Sequence, residues 1–221
     1  MKKDSEHIYF PIMIDLTSLP CLVVGGGNVA LRKVQSLLEF GGRVTVVSPR
    51  IGGELAALAA QGRISILRKP YSAECIKGNK IVFCATNNPG TNKAVSEDCA
   101  RAGILLNAAD NPALCNFIMP AILRRGPLTV SISTQGKAPF FTKAMKKKIA
   151  RFLTPSAAGV TRLAAEFRRR LISNGSPKSR VAKEKAYDKF LSTDWDGILA
   201  RHGEKKSHRY LEEILKETED L

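Results

Sequence analysis

The chain has 221 residues, of which 44% are hydrophobic and 25% charged, and it carries a formal net charge of +15. This composition is typical of a globular protein that buries a core, and it argues against a disordered or fibrous chain. The apolar runs are of strand length, well short of the roughly 20 residues of a membrane span, so we expect no membrane segment and no signal peptide.

The first part of the chain alternates between strand and helix patterns. Short apolar strands joined by helices predict crossover connections and a parallel sheet, which is a Rossmann-type α/β fold. We predict strands at 21–24, 43–47, 64–67, 81–85 and 104–107, and helices at 28–40, 54–60 and 92–102. A further strand at 128–133 lies either at the edge of this sheet or in a second unit.

After Pro139 the sequence becomes basic and helical. We predict helices at 140–152, 155–172, 181–191 and 207–219, with a break at 173–178. Between Pro139 and Ala182 there are eleven basic residues and one acidic residue. Such a surface attracts a polyanion, and nucleic acid, a membrane surface or a small polycarboxylate would each fit.

The five cysteines are scattered and form no CxxC pair. We expect reduced thiols, a cytoplasmic protein and no structural zinc. The three histidines, His7, His202 and His208, lie outside the α/β region and form no metal-binding or catalytic pattern.

The strongest chemical motif is GGGNVA at residues 25–30, which follows a predicted strand and opens a predicted helix. Gly25 permits the tight turn, Gly27 lets the backbone approach a pyrophosphate, and Ala30 allows close packing of helix on strand. The helix N-terminus offers free N–H groups to the phosphates. The alternative is a glycine-rich turn without a ligand.

The acidic residue expected at the end of the second strand of such a domain is missing. Ser48 could bind a ribose hydroxyl, and Arg50 could meet a 2′-phosphate or simply face solvent. The choice between NAD and NADP therefore stays open. Thr86 and Asn87, past the fourth strand, could contact the cofactor or only form a turn.

Asp110 follows the fifth strand, at the edge of the sheet where ligands bind. Its carboxylate could take a proton as the substrate is oxidised. The alternative is that it caps the Asn-Pro turn at residues 111 and 112.

Several motifs together resemble one family, the N-terminal module of siroheme synthase. The likeness covers about residues 8–170. The motifs are CLVVGGGNVA at 21–30 with Arg32 and Lys33, TVV at 45–47, ATNN at 85–88, NAAD at 107–110, FIMP at 117–120 and LTVSISTQGKAP at 128–139. This module is precorrin-2 dehydrogenase, and in many members it is also sirohydrochlorin ferrochelatase.

The resemblance implies oxidation of precorrin-2 to sirohydrochlorin by NAD⁺, and in some members insertion of Fe²⁺ or Co²⁺ by the same pocket. It implies Asp110 as the general base, which also assists chelation. It places cofactor contacts on Asn28, Val29, Pro49 and Arg50. Thr134 stands where some members carry a phosphorylatable serine. The methyltransferase domain of the trifunctional members has no counterpart in these residues.

The resemblance also implies a homodimer whose subunits exchange the middle region. We accordingly expect an NAD(P)-binding domain at 1–114, a dimerisation region at 115–150 and a helical C-terminal domain at 151–221. The substrate is a tetrapyrrole polycarboxylate, and Arg124, Lys137 and Lys143 are candidates to bind it, although each could simply be solvated. We expect no protein metal site, no nucleic acid and no membrane as partners.

A competing hypothesis is a dinucleotide-sensing regulatory or nucleic-acid-binding protein, which the basic charge would serve. Against it, the chain has no zinc finger and no clear helix-turn-helix, and only 6% of its residues are aromatic. A reductase with an unrelated small substrate is a further alternative.

Overall fold

The computed structural model describes residues 8–109, 111–173 and 179–219. The chain forms two compact units, with the boundary between Met119 and Pro120. The finer three-part division at residues 114 and 150 stays a prediction.

The first unit is a parallel five-stranded sheet flanked by helices. Its strands are ordered β3-β2-β1-β4-β5, and every neighbouring pair is parallel. This order places the crossover between β1 and β4, where doubly wound sheets bind ligands. The elements are β1 (Pro20–Val24), α1 (Asn28–Glu39), β2 (Arg43–Val47), α2 (Gly53–Ala60), β3 (Ser65–Leu67), β4 (Ile81–Cys84), α3 (Pro89–Ala102) and β5 (Leu105–Ala108). The predicted Rossmann-type fold is confirmed.

Both faces of this sheet are buried, and this explains why its strands are continuous apolar runs. Cys21 and Val23 of β1 pack with α1 and α2 on one face, in a cluster that includes Val34 and Leu55. The alternate residues of the same strand pack with Val95 and Cys99 of α3 on the other face. The central strand β1 is therefore enclosed on both sides.

Helix α3 begins at Pro89, so the predicted start at residue 92 was wrong. Asn88 is its N-cap, because the side-chain Oδ1 accepts the N–H of Thr91 at 2.9 Å. Proline in the first turn loses no helical hydrogen bond, and its backbone angle suits a helix start. The turn-like Asn-Asn-Pro-Gly sequence is thus partly helix.

The second unit begins with an antiparallel hairpin and continues as helices. A tight turn at Gly126, with φ of 56°, joins the two strands. The elements are β6 (Ala121–Arg125), β7 (Leu128–Ile132), α4 (Pro139–Phe152), α5 (Ala157–Ser173), α6 (Arg180–Ser192) and α7 (Trp195–Glu219). Of the two positions considered for the strand at 128–133, the second unit is the right one, and its partner β6 was not predicted.

A separate core holds α5, α6 and α7 together. Phe190 lies between the rings of Phe167 and Trp195, with centroid distances of 5.0 and 4.8 Å. The Trp195 indole N–H donates to the carbonyl of Phe190 at 2.8 Å. Helix α7 starts well before the predicted residue 207 and is interrupted at Gly203, where φ is 70°. Most of the predicted break lies outside the described residues.

None of the helices in the described ranges combines the length and apolar character needed to cross a membrane.

Candidate functional site

Gly25 begins the turn between β1 and α1, and it has two independent reasons to be glycine. Its φ is +128°, a region that other residues rarely adopt. A Cβ at this position would lie 2.2 Å from the carbonyl oxygen of Ala85, at the end of β4. Its own N–H donates to the carbonyl of Val47 at 2.9 Å. Gly25 therefore lets the turn fit between the ends of two neighbouring strands.

Gly26 lets the loop after β2 pack against the turn. A Cβ at Gly26 would lie 1.9 Å from the carbonyl oxygen of Arg50, and the N–H of Gly52 donates to the carbonyl of Gly26 at 2.9 Å. Ser48 is buried, and its hydroxyl donates to that same Arg50 carbonyl at 2.7 Å. The Ser48 hydroxyl thus shapes the loop, while Pro49 and the side chain of Arg50 are exposed.

Gly27 differs from the two glycines before it, because a Cβ there would meet nothing within 4 Å. It is the N-cap of α1, which has no side-chain cap and no acidic residue in its first turn. Asn28 is exposed and Val29 is half-buried at this helix start. Their N–H groups are among the first four of the helix, which have no hydrogen-bond partner within the helix itself. An open, uncapped helix start of this kind suits a phosphate group.

Thr86 belongs to a hydrogen-bonded turn at the end of β4. Its hydroxyl lies 2.7 Å from Oδ1 of Asn92 and accepts the N–H of Asn88 at 3.0 Å. The Asn92 amide returns a hydrogen bond to the carbonyl of Thr86 at 3.1 Å. Turn chemistry accounts for these contacts, and a cofactor contact by half-buried Thr86 stays a prediction.

Sequence reasoning missed Asn92, which joins β4 to α3. The thiol of Cys84 donates to Oδ1 of Asn92 at 3.1 Å. Burial raises the pKa of the Cys84 thiol to about 11. This cysteine is therefore protonated near neutral pH and takes a structural role, because the nucleophilic form is the thiolate.

The segment after β5 folds back along that edge strand. The side chain of Asn116 makes hydrogen bonds to this edge that the backbone of a neighbouring strand would otherwise make. Its Oδ1 accepts the N–H of Leu106 at 2.7 Å, and its Nδ2 donates to the carbonyl of Ile104 at 2.9 Å. Asn116 was also missed, since one asparagine in a loop gives no sequence signal for this pairing. Asp110, the predicted base, lies outside the described residues.

Arg124, Lys137 and Lys143, the three predicted substrate-binding residues, lie in the second unit and are exposed. Arg124 is on β6, where its Nε donates to the carbonyl of Gly126 at 3.1 Å. Lys137 lies in the turn before α4, and Lys143 lies on α4. The predicted cofactor-binding residues lie around the glycine turn of the first unit, and these three cations belong to the second unit.

Thr134, for which the family resemblance predicts the position of a phosphorylatable serine, lies just before α4. Its hydroxyl oxygen accepts the N–H of Ala138 at 3.0 Å and lies 3.2 Å from the hydroxyl of Thr142. A half-buried hydroxyl with these contacts has a structural role.

A surface cavity of about 450 Å³ lies at the opposite edge of the sheet, before β4 and β5 begin, and its lining includes Lys80, Asp98 and Arg101. The Tyr71 hydroxyl donates to Oδ2 of Asp98 at 2.8 Å, and burial followed by this hydrogen bond raises the pKa of Tyr71. These groups tie α3 to the segment before β4. The glycine turn at the carboxyl edge is the better candidate site, because doubly wound sheets bind ligands there.

Within the described ranges, no group of three or more His, Cys, Asp or Glu side chains could hold a metal ion. All five cysteines are free thiols.

Comparison with known proteins agrees with the geometry. Residues 12–121 match a family described as NAD(P)-binding, and residues 125–151 match the family of the central part of sirohaem biosynthesis proteins. Siroheme synthase 1 of Aeromonas salmonicida is 36% identical over 94% of this chain, and siroheme synthase of Pseudomonas putida is 40% identical over 75%.

The chain spans 44% and 36% of the length of those two relatives. The solved structure of SirC, precorrin-2 dehydrogenase, superimposes with a TM-score of 0.74 at 27% identity, covering 93% of this chain and all of SirC. Two families match in the expected order, and one solved structure matches over its whole length. The chain belongs to the family formed by the N-terminal module of siroheme synthases.

Proposed function

We propose that this protein is an NAD-dependent dehydrogenase that oxidises precorrin-2 to sirohydrochlorin in siroheme biosynthesis. The observation that carries the proposal is the open, uncapped start of α1 at Gly27, where an added Cβ would meet no atom within 4 Å. The likeness to SirC, named a precorrin-2 dehydrogenase, supports the choice of substrate. The family membership favours this enzyme over a nucleic-acid-binding regulator.

The glycine turn fits the cofactor. The N–H groups of Asn28 and Val29 at the start of α1 would hold the pyrophosphate. Pro49 and Arg50, exposed on the loop that packs against Gly26, would line the side occupied by the adenosine. When bound, NAD⁺ accepts two electrons and one proton from the substrate.

Asp110 takes the second proton in this proposal. It follows β5, which ends at Ala108 on the same carboxyl edge of the sheet as the glycine turn. A carboxylate at such an edge acts as a general base when it reaches the proton that is removed. The NAAD motif at 107–110 is the part of the family resemblance that supports this role.

The substrate is a polycarboxylate, and the basic residues of the second unit suit its charge. Arg124, Lys137 and Lys143 are proposed to attract and bind its carboxylates. Lysine and arginine outnumber acidic residues in α4 and α5, so the attraction does not depend on one residue.

We further propose a homodimer formed through residues 115–150. The support is the family resemblance and the exposure of Phe140 and Phe141 at the start of α4, which are 80% and 51% exposed. We expect the protein in the cytoplasm, where its five free thiols would stay reduced.

The test is an anaerobic assay of the purified protein with enzymatically generated precorrin-2 and either NAD⁺ or NADP⁺, followed by the visible spectrum of sirohydrochlorin. Product formation supports the proposal, and the faster cofactor settles the preference that the residues after β2 leave open. Fe²⁺ or Co²⁺, added as a substrate once sirohydrochlorin has formed, tests chelation. A folded protein that binds NAD and turns over no precorrin-2 contradicts the proposal.

Asp110→Ala is expected to lower turnover by at least about 100-fold, the usual size of general-base catalysis. Its affinity for NAD should stay within about threefold of the wild type, because the proposed base does not bind the dinucleotide. The matched control is Asp188→Ala, which removes an exposed carboxylate from α6. Wild-type turnover in the Asp110 variant would remove the base assignment.

A further inference from the structure

The ammonium group of Lys33 lies near the carboxyl ends of β4 and β5. Lys33 lies in the second turn of α1 and is half-buried. Its Nζ donates to Oδ1 of Asn107 at 3.1 Å and lies 5.3 Å from the centroid of the Phe83 ring. Asn107 is 8% exposed and Phe83 is 3% exposed, so the ammonium contacts two buried side chains.

Asn107 continues the connection into the segment that follows β5. Its Nδ2 donates to the carbonyl of Phe117 at 3.2 Å. The Phe117 ring packs edge-on against Phe83, with centroids 5.6 Å apart. The side chain of Asn107 therefore connects α1, β5 and the segment after β5 that contains Phe117.

Cys115 strengthens the same region. Its Sγ accepts the N–H of Ala108 at 3.1 Å and lies 3.3 Å from the carbonyl of Ala108. Burial raises the pKa of this thiol above its ordinary value, while the Ala108 hydrogen bond and the charge of Lys33 oppose the rise. The protonated thiol serves as a hydrogen-bonding link at the end of β5.

Packing alone does not explain the ammonium group. A methionine or leucine would cover Phe83 without the desolvation cost of a partly buried charge. A cation over an aromatic ring stabilises the charge only modestly. The hydrogen bond to Asn107 gives the ammonium group a directed polar partner.

We propose that Lys33 is a positioning residue for the dehydrogenation. It holds the end of β5 in a fixed position relative to α1. This inference rests on the proposed function. Helix α1 carries the N–H groups assigned to the cofactor, and β5 leads into the segment assigned to the base. Lys33 acts through Asn107, and a small shift between the two elements would misalign the reacting groups.

The first experiment compares Lys33→Met with Lys33→Arg in the full chain. Lys33→Met keeps the apolar stem and should lower kcat about 10-fold while KM for NAD⁺ and for precorrin-2 stays within about twofold. Lys33→Arg keeps the charge and a donor, and should restore at least half of the lost kcat. The control is Lys93→Met, which removes an exposed lysine of α3 that pairs with Glu97 at 3.8 Å.

Three outcomes of this kinetic comparison would overturn the proposal: unchanged kcat in Lys33→Met, a rise in KM for precorrin-2 that accounts for the whole loss, or no recovery in Lys33→Arg. A KM effect would mean that Lys33 binds substrate directly. Asn107→Ala should cost as much as Lys33→Met, and the double variant should cost no more than either, because both remove one connection.

Amide hydrogen exchange separates this inference from the proposed function. In Lys33→Met the amides of Leu106, Ala108 and Asn116 should exchange faster, and in Lys93→Met they should not. Wild-type protein that turns over no precorrin-2 defeats the proposed function. The exchange measurement then decides the Lys33 inference alone: faster exchange supports the connection between α1 and β5, and unchanged exchange overturns it.

Discussion

The two units of this protein bury their strands to very different degrees. In the first unit, residues 21–24 of β1 are each at most 2% exposed, because helices cover both faces of the sheet. In the hairpin of the second unit, Leu123 is the only buried residue of β6 and β7. Strands enclosed on both faces give continuous apolar runs, and the strands of a half-covered hairpin do not.

This contrast explains where sequence patterns succeed. The five parallel strands were each predicted to within one residue at either end. Four of them lie mostly in the core, and only the edge strand β3 is largely exposed. The hairpin strand β6 contains two consecutive arginines, Arg124 and Arg125, and was missed. The comparison can be tested by substitutions that act on one unit and leave the other unchanged.

The largest effect is expected from Gly25→Ala in the first unit. The added Cβ would combine a φ of +128° with a contact to the Ala85 carbonyl oxygen at 2.2 Å. We expect a loss of more than about 5 kcal/mol in the free energy of unfolding of that unit, since backbone strain and overlap add. Chemical denaturation, monitored by the amide hydrogen exchange of residues 20–108, measures this loss of stability.

The control for that variant is Gly53→Ala, at the start of α2, where a Cβ meets nothing within 4 Å. It should leave stability unchanged or raise it by up to about 1 kcal/mol. Equal stability of the two variants would contradict the account of the glycine turn.

An intermediate effect is expected from Phe167→Ala in the second unit. Phe167 is 1% exposed and packs against Phe190 and Tyr187. Its removal should cost about 3–5 kcal/mol, seen as earlier unfolding of α5, α6 and α7, while exchange in the parallel sheet stays unchanged. Phe152→Ala, at an 83% exposed position on α4, is the matched control and should cost less than about 0.5 kcal/mol.

Apart from the control variants, the smallest effect on stability is expected from Gly27→Asp. The side chain points into open space, so the free energy of unfolding should change by less than about 1 kcal/mol. Calorimetric titration should nevertheless show at least about 10-fold weaker NAD binding, because a carboxylate would stand where a pyrophosphate is expected. Unchanged affinity would remove the cofactor from this turn.

The candidate site was only partly predictable. The GGGNVA motif located the turn, because glycine at a positive φ and an uncapped helix start leave a local signature. The sequence analysis gave roles to Gly25 and Gly27 and none to Gly26, where an added Cβ would lie 1.9 Å from the carbonyl oxygen of Arg50. Ser48 was predicted to contact a ribose hydroxyl. Its hydroxyl donates to the carbonyl of Arg50, and the ribose contact stays a prediction.

The sequence by itself determined the parallel α/β fold, the position of the glycine turn and the basic character of α4 and α5. Each of these follows from periodicity, local backbone preference or charge, which are properties of neighbouring residues. The tertiary structure alone decided that Lys33 meets Asn107 and that Asn116 pairs with the edge of β5. Those contacts join residues from different elements, and hydrogen bonds between distant residues leave no periodic trace in a single chain.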